Sequence, residues 1–240
     1  MATFHITIKS GKKGTAANHA AYIAREGKYS KDEKAKDLVA TGFGNLPDWA
    51  NGNSAVFWEE ADQHERTNGA VYREYEVALP KELSTDQKRE LVNAFIERFV
   101  GDKSYQFAIH QPIAAIGKVA QTHLHAMVSD RLPDGIARPP QQHFKRFNRA
   151  QPEKGGARKD SGGMDRVVLR NEVISQRETW AHLQNEFLEK YGHPARVDHR
   201  SHRERGIEAP PERHLGPARV RQMTEEEKAE LQQRRKGRAG

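Results

Sequence analysis

The sequence predicts an α+β fold in which helices cover a small sheet. Four segments have the alternation of apolar and polar residues that is typical of strands, and helix-like segments separate the first three of them. The last two strand-like segments are close enough in sequence to form a hairpin. A later segment has the spacing of a long amphipathic helix, which would cover one face of the sheet. The sequence shows no internal repeat.

The first quarter of the chain supplies one strand and one helix. Residues 2–9 alternate apolar and polar side chains and predict the first strand, and residues 10–14 predict a turn after it. Residues 15–25 are rich in alanine and predict a helix, with Thr15 as a plausible N-cap. Residues 28–53 are polar and contain several glycines, so they predict a loop.

The second quarter alternates helix and strand twice. Residues 55–67 predict a helix, and residues 70–79, with alternating side chains, predict the second strand, which Pro80 ends. A capping-box pattern that begins at Ser84 predicts the next helix, which runs to residue 100. The segment 105–110 predicts the third strand.

The remainder of the chain predicts a domain with an extension. Two prolines at 139 and 140 predict a short helix, and residues 167–191 predict the long amphipathic helix. We expect residues 1–195 to form one domain. Residues 196–240 are then a helical, arginine-rich and partly flexible C-terminal extension.

The charge is distributed unevenly between the two halves. Residues 1–135 carry 17 Lys and Arg against 18 Asp and Glu, whereas residues 136–240 carry 23 against 15. A basic segment of this kind indicates nucleic-acid binding, because cations that neutralise phosphates release counterions. A solubilising tail would have the same composition, and composition alone does not separate the two.

The composition also excludes several classes of site. The chain has no cysteine, so disulfides, thiolate metal ligands and a cysteine nucleophile are excluded. The N-terminus resembles no signal peptide and no stretch is apolar enough to span a bilayer, which predicts a cytoplasmic protein without membrane insertion.

Three histidines are the strongest candidates for chemistry. The fourth predicted strand, residues 122–129, carries His123 and His125, and side chains two residues apart lie on the same face of a strand about 7 Å apart. His110 ends the preceding strand, on a face that the hairpin brings to the same side. Three neutral imidazoles can share one metal ion and leave coordination positions open, as catalytic sites do. Core or surface histidines are the alternative.

A tyrosine and two glutamates complete the candidate site. Tyr22 lies on the alanine-rich helix; a phenol has a pKa of about 10 and is a useful nucleophile only beside a base and a cation. Glu74 and Glu76 share a strand face and could act as base or hold a ligand histidine. Core packing for the tyrosine and surface ion pairs for the glutamates remain open. His5 is a further candidate to support the metal ligands, and Arg25 to contact a phosphate.

Several motifs in order give a specific resemblance. The resemblance extends over about residues 1–205. The motifs that show it are Ala21 to Tyr29, Tyr72 to Pro80, Ala108 to His110, His123 to His125, Asp134 to Ile136, Pro152 to Gly156 and Val197 to Ser201. The chain resembles plasmid mobilisation relaxases of the MobA/MobL type, which belong to the HUH endonucleases. The resemblance implies a ferredoxin-like, palm-type antiparallel sheet flanked by helices. The tyrosine precedes the histidine strand, which is the relaxase order.

The resemblance also implies roles for individual residues. Tyr22 would be the nucleophile, with Tyr29 as the second candidate, and His110, His123 and His125 would bind Mn²⁺ or Mg²⁺. Glu74 and Glu76 would assist. The basic residues that we expect to contact DNA are Arg25, Lys145, Arg146, Arg149, Arg200 and Arg203. The loop 111–121 departs from the family pattern, because it is apolar and not rich in glycine.

The implied reaction is a transesterification on single-stranded DNA at a plasmid origin of transfer. The tyrosine would nick one strand, stay joined to the 5′-phosphate and later rejoin the ends, in company with accessory relaxosome proteins and a coupling protein. Two alternatives remain: a metal-dependent phosphodiesterase that uses water, and a DNA-binding protein without catalysis.

Overall fold

A five-stranded antiparallel sheet forms the centre of the part of the chain that the structure describes, residues 4–31, 33–208 and 215–237 of this computed structural model. The strands are β1 (Ile6–Lys12), β2 (Leu38–Gly44), β3 (Ala70–Ala78), β4 (Tyr105–His110) and β5 (His123–Ser129). Their order across the sheet is β1-β3-β5-β4-β2, and every neighbouring pair is antiparallel. The predicted α+β architecture is confirmed, with five strands where the sequence predicted four.

Helices cover both faces of the sheet. The helices are α1 (Ala16–Ala24), α2 (Ser54–His64), α3 (Thr85–Phe95), α4 (Pro140–His143), α5 (Arg166–Lys190), α6 (Pro217–Gln222) and α7 (Glu225–Gly237). Helices α3 and α5 pack on one face, whereas α1 and α2 pack on the other, together with the phenylalanine that follows α4. The predicted capping box of α3 is present, and a π-helical turn at Ile96–Val100 extends that helix. No helix among the described residues is long and apolar enough to cross a membrane.

The strand register puts the histidine side chains on the α1 and α2 face. Ile109, Leu124 and Ala126 belong to the core under α3 and α5, whereas Ala108 and Met127 belong to the core under α1 and α2. Since side chains alternate along a strand, the residues of β4 and β5 that share parity with Ala108 and Met127 face α1. The predicted division of faces in the β4–β5 hairpin is therefore confirmed.

Strand β1 ends later than predicted, and strand β2 was not predicted at all; both contain glycines that aromatic rings cover. Strand β1 continues to Lys12 through the predicted turn, and the ring of Tyr72 lies so close that a Cβ on Gly11 would be 1.9 Å from it. Strand β2 lies inside the predicted loop 28–53; there a Cβ on Gly42 would be 2.7 Å from the ring of Phe107. Glycine is rare in strands, but a cross-strand aromatic ring can replace the missing side-chain packing. Residues 2 and 3 of the predicted first strand lie outside the described residues.

Only the C-terminal half of α5 covers the sheet. Trp180, Leu183 and Leu188 are buried in the core, as their spacing predicts. In contrast, Val167, Val168 and Val173 are exposed. The predicted amphipathic helix is present, but its apolar contact with the sheet is shorter than the sequence pattern indicates.

The chain beyond α5 remains in contact with the core. Val197 is buried among core residues, and its backbone N–H donates a hydrogen bond to the Asn185 side chain on α5. Arg196 forms an ion pair with Glu82, which precedes α3. The division into residues 1–195 and 196–240 stays a prediction, and ordered packing extends at least two residues past it.

Helix α1, which carries Tyr22, is held by residues from other elements. Thr15 occupies its N-cap position but makes no capping hydrogen bond with its side chain. Instead the carboxylate of Asp62 on α2 accepts hydrogen bonds from the N–H groups of Gly14, Ala16 and Ala17, at 2.7, 3.1 and 2.9 Å. An acid at a helix N-terminus satisfies free donors and interacts favourably with the helix dipole. Asp62 is therefore the cap of α1.

We expect Asp62→Ala to destabilise the protein by about 1–2 kcal/mol, because three backbone donors lose their acceptor. Chemical denaturation gives the free energy of unfolding. Asp62→Asn is the matched control, since its amide oxygen can still accept, and it should lose less than the alanine variant. Equal stability of the wild type and Asp62→Ala would contradict the capping role.

Candidate active site

Three imidazoles converge at the end of the β4–β5 hairpin. His110 and His123 are direct cross-strand partners, and His125 lies two residues further along β5. One nitrogen from each ring can be chosen so that all three lie within 4.8 Å of one another. The ring centroids are 5.0 to 5.6 Å apart. The sequence prediction that these three side chains meet on one face agrees with this geometry.

The surroundings of the imidazoles suit a divalent cation. The Nδ1 atom of His125 is 2.8 Å from the Glu74 carboxylate and that of His123 is 3.0 Å from the Gln121 carbonyl oxygen. Each contact anchors one ring nitrogen as a donor and leaves Nε2 with a lone pair. Burial lowers the pKa of His110 to about 4 and also lowers the pKa of His123, so both rings are neutral at pH 7. Three nitrogen donors without thiolates can hold a divalent metal ion and leave coordination positions open.

Glu74 is the acidic partner of this cluster. Its Oε1 atom lies 2.8 Å from Nδ1 of His125 and 2.9 Å from Nε2 of His19. Burial by itself raises the pKa of Glu74, but the contacts with the two imidazoles outweigh burial and hold the pKa below its usual range. Glu74 is therefore a carboxylate at neutral pH and orients His125. Glu76 forms an ion pair with Lys9 at 2.8 Å, on the same face of the sheet.

The ring of Tyr22 on α1 is held from three sides. Its ring stacks on His19 with a centroid distance of 6.1 Å, and the edge contact with Tyr29 is at 5.3 Å. The guanidinium of Arg25 lies 4.7 Å from the ring centroid. His19 contacts Glu74, and Glu74 contacts His125, so two side chains connect the tyrosine to the histidine cluster. The Tyr29 hydroxyl donates a hydrogen bond to Asn18 at 3.0 Å.

Arg25 is buried, which does not fit the expectation that it contacts a phosphate. Only 7% of it is exposed, and its guanidinium forms two hydrogen bonds of 3.1 Å with Asp37. A third hydrogen bond reaches the carbonyl oxygen of Tyr22 at 2.9 Å, and its Nη2 lies 3.4 Å from Nδ1 of His110. Arg25 has a left-handed backbone at the end of α1, an uncommon conformation for a residue with a side chain. It positions the tyrosine helix against the histidines.

His19 is a residue of the site that the sequence interpretation did not single out. It lies one helical turn before Tyr22, so the two rings share a face of α1. The imidazole of His19 also stacks on the ring of Tyr72, with a centroid distance of 5.6 Å. The i, i+3 spacing from a candidate nucleophile could have indicated it, but its contact with Glu74 depends on the packing of α1 on β3.

The remaining predicted site residues are His5 and five basic residues. His5 precedes β1 and its Nε2 is 3.1 Å from the Thr7 hydroxyl, in an exposed position. Lys145, Arg146 and Arg149 are exposed and follow α4. Arg200 forms an ion pair with Asp198 at 2.8 Å. Arg203 is exposed; its predicted contact with DNA, like that of the other basic residues, stays a prediction.

Comparison with known proteins identifies the family. The MobA/MobL family profile matches residues 14–226, which is most of the chain. A 43 kDa relaxation protein of Salmonella typhimurium is 46% identical over 209 residues, which is 87% of this chain and 56% of that protein. Mobilization protein A of Escherichia coli is 40% identical over 222 residues, 90% of this chain and 30% of that protein. The chain therefore belongs to the MobA/MobL family.

A solved structure supports the fold. It comes from work on the molecular basis of vancomycin resistance transfer in Staphylococcus aureus, and it matches 83% of this chain and all of that chain. The TM-score is 0.60 at 21% sequence identity, so the likeness concerns the fold. The chain spans about half the length of the first of these curated relatives and less than a third of the second.

Proposed function

We propose that this protein is a plasmid mobilisation relaxase. It would nick one strand of single-stranded DNA at an origin of transfer, remain attached to the 5′-phosphate through Tyr22 and later rejoin the ends. One observation carries this proposal: three imidazole nitrogens within 4.8 Å of one another lie beside the helix that holds Tyr22. The names of the similar proteins, which refer to relaxation and mobilisation, support the same activity.

The residues around Tyr22 prepare it for attack on phosphorus. The His19 stack and the Arg25 guanidinium limit where the ring can turn, which lowers the entropic cost of a defined attack geometry. In the proposed step the Tyr22 oxygen forms a bond to phosphorus and the bond from phosphorus to the 3′-oxygen breaks. The phenolic proton leaves the tyrosine, and the departing 3′-oxygen takes up a proton. The phosphotyrosyl bond retains the phosphodiester energy, so the 3′-hydroxyl can reverse the step.

His110, His123 and His125 would hold the divalent ion. When bound, such an ion stabilises negative charge on the phosphate oxygens. Glu74 contributes by holding His125, and of the two predicted glutamates it is the one that contacts both His125 and His19. Glu76 forms an ion pair with Lys9, and a surface ion pair was the alternative interpretation of this residue.

The test of the proposed function is the capture of a covalent adduct. The full chain is incubated with 3′-end-labelled oligonucleotides from candidate origins and Mn²⁺, and the products are separated on a denaturing gel. We expect a labelled species with the mass of the protein plus the 3′ part of the oligonucleotide. Nicked DNA without any adduct would contradict the proposal and favour water as the nucleophile.

Replacing Glu74 should weaken metal binding. We expect Glu74→Gln to lower the affinity for Mn²⁺ by about tenfold or more, because partners that orient ligand histidines typically contribute 10–100-fold. Isothermal titration calorimetry measures this change directly. Glu76→Gln is the matched control, since it removes the same charge from the same strand face, and its affinity should stay close to that of the wild type. Equal effects of both variants would contradict the assignment of Glu74 as the orienting residue.

A further inference from the structure

A basic pocket lies beyond α4, apart from the three histidines. It is an open depression of about 560 Å³, lined by Lys145, Arg146, Phe147, Asn148, Arg149, Lys154 and Gly155. Four of these seven residues are cationic and none is acidic. We call this feature the basic pocket.

The four cationic side chains are exposed and available. The ion pairs of the described residues include many surface lysines and arginines, but none involves Lys145, Arg146, Arg149 or Lys154. Like charges in one pocket repel each other unless an anion joins them. A cluster of this kind therefore favours a polyanionic ligand.

Two buried arginines hold the backbone of the basic pocket in place. Arg131 donates hydrogen bonds to the carbonyl oxygens of Phe144 and Lys145, at 2.6 and 2.8 Å, and forms a buried ion pair with Glu65. Arg138 donates to the carbonyl oxygen of Gly155 at 3.0 Å. Both guanidinium groups are bonded inside the loop and hold its backbone. The four exposed cations of the basic pocket are charges beyond these two.

A glycine pair allows the two sides of the loop to touch. A Cβ on Gly156 would lie 2.1 Å from the carbonyl oxygen of Lys145, and one on Gly155 would lie 2.4 Å from the backbone nitrogen of Asn148. The Gly156 N–H donates to the carbonyl oxygen of Arg146 at 3.0 Å. Because backbone atoms form these contacts, a larger residue at position 156 cannot fit without displacing the loop.

The basic pocket belongs to the same side of the sheet as the histidine cluster. Phe144, which directly precedes Lys145, is buried with Ala108 and Met127 in the core under α1 and α2. The histidines occupy that face of β4 and β5. A strand of DNA bound on this side of the protein can contact both places.

We propose that the basic pocket binds a backbone phosphate of single-stranded DNA away from the phosphate that Tyr22 attacks, with Phe147 as a stacking surface for a base. This inference rests on the proposed function, because it takes DNA as the substrate. Cations beside a partly exposed aromatic ring are the combination by which proteins bind unpaired strands with little sequence preference. The pocket would hold DNA that flanks the nick.

The test is the affinity of the full chain for a labelled single-stranded oligonucleotide, measured by fluorescence anisotropy in EDTA over a range of salt concentrations. The variant carries Lys145→Gln, Arg146→Gln and Arg149→Gln. We expect binding of unrelated sequences to weaken alike, by about tenfold or more, and the slope of log K against log salt to decrease by about two, since each contact with a single strand contributes about 0.7. Duplex of the same sequence should lose less than the single strand.

The matched control removes the same charge elsewhere. Lys81→Gln, Arg89→Gln and Arg98→Gln alter exposed residues before α3, on α3 and in the π-helical turn after it, on the opposite face of the sheet. This variant should keep the wild-type salt slope. If the two triple variants have the same slope and affinity, net charge alone explains binding and the pocket proposal is wrong.

Gly156→Ala tests whether the shape of the basic pocket matters, because it retains every charge. Its new methyl group must displace the backbone of Lys145, so we expect weaker binding of the oligonucleotide. Gly216→Ala is the control, since a Cβ there meets no atom within 4 Å. Thermal unfolding identifies variants that fail to fold, and the triple charge variant remains informative if Gly156→Ala is one of them. A folded Gly156→Ala protein with wild-type affinity would overturn the built pocket.

Failure of this inference can be distinguished from failure of the proposed function. Binding in EDTA does not depend on cleavage, and adduct formation with Mn²⁺ is measured separately. An adduct with an unchanged salt slope in the pocket variant would reject the pocket alone. A reduced slope without any adduct in the wild type would reject the covalent chemistry and keep the DNA contact.

Discussion

Tyr22→Phe is expected to abolish both nicking and the covalent adduct. The substitution removes one oxygen atom, the proposed nucleophile, and keeps the ring that packs between His19 and Tyr29. Loss of a nucleophile that acts with other groups as a unit typically costs far more than a thousandfold, so we expect a decrease of at least about a thousandfold in the nicking rate. Labelled oligonucleotide, Mn²⁺ and a denaturing gel measure both products.

Tyr29→Phe is the matched control for this prediction. Its hydroxyl donates a hydrogen bond to Asn18, and its ring meets the ring of Tyr22 edge-on. We expect this variant to keep adduct formation. Nicking by Tyr22→Phe at the wild-type rate would identify a phosphodiesterase that uses water. Loss of activity in Tyr29→Phe alone would make Tyr29 the nucleophile.

His123→Ala is expected to remove metal binding with little effect on the fold. His110 is buried and its ring contacts the carbonyl oxygen of Ile23, so its removal would also loosen α1. His123 is partly exposed and is anchored to the carbonyl oxygen of Gln121, which makes it the safest of the three to replace. Because a direct ligand contributes more than a residue that orients one, we expect Mn²⁺ affinity to fall by more than about a hundredfold.

Calorimetric titration with Mn²⁺ tests this prediction, and nicking should decrease with the metal affinity. His182→Ala is the control, because that histidine lies exposed on α5 and pairs with Glu178. EDTA should stop nicking by the wild type and leave residual DNA binding. DNA processing that continues unchanged in EDTA and in His123→Ala would contradict a metal-dependent site.

Much of the site follows from side-chain parity along two strands. The alternation over residues 105–110 and 122–129 predicts which residues of β4 and β5 are buried under α5. The same parity puts His110, His123 and His125 on the other face, where the structure brings them together. The two strands of this hairpin are neighbours in sequence, so side-chain parity within a short segment is enough to predict which face each residue occupies. Parity therefore predicted the faces of β4 and β5 correctly.

Other parts of the structure depend on contacts that local patterns do not contain. Strand β2 contains two glycines that interrupt the alternation of side chains, so its pattern does not predict a strand. It pairs with β4, where the ring of Phe107 lies over Gly42. The cap of α1 comes from Asp62, more than forty residues away in sequence, and not from Thr15. Arg25 is a cation one helical turn after Tyr22, which favours a contact with phosphate, but its guanidinium binds Asp37 inside the protein. Each of these outcomes requires knowledge of which elements pack together.

The most direct measurement of the central claim is peptide mapping of the protein–DNA adduct by mass spectrometry. After reaction with an origin oligonucleotide and Mn²⁺, the protein is digested with protease and nuclease. We predict a nucleotide 5′-phosphate on the peptide that contains Tyr22, present with Mn²⁺ and absent with EDTA. Nucleotide on any other residue, or nicked DNA with an unmodified Tyr22 peptide throughout the reaction, would contradict the account.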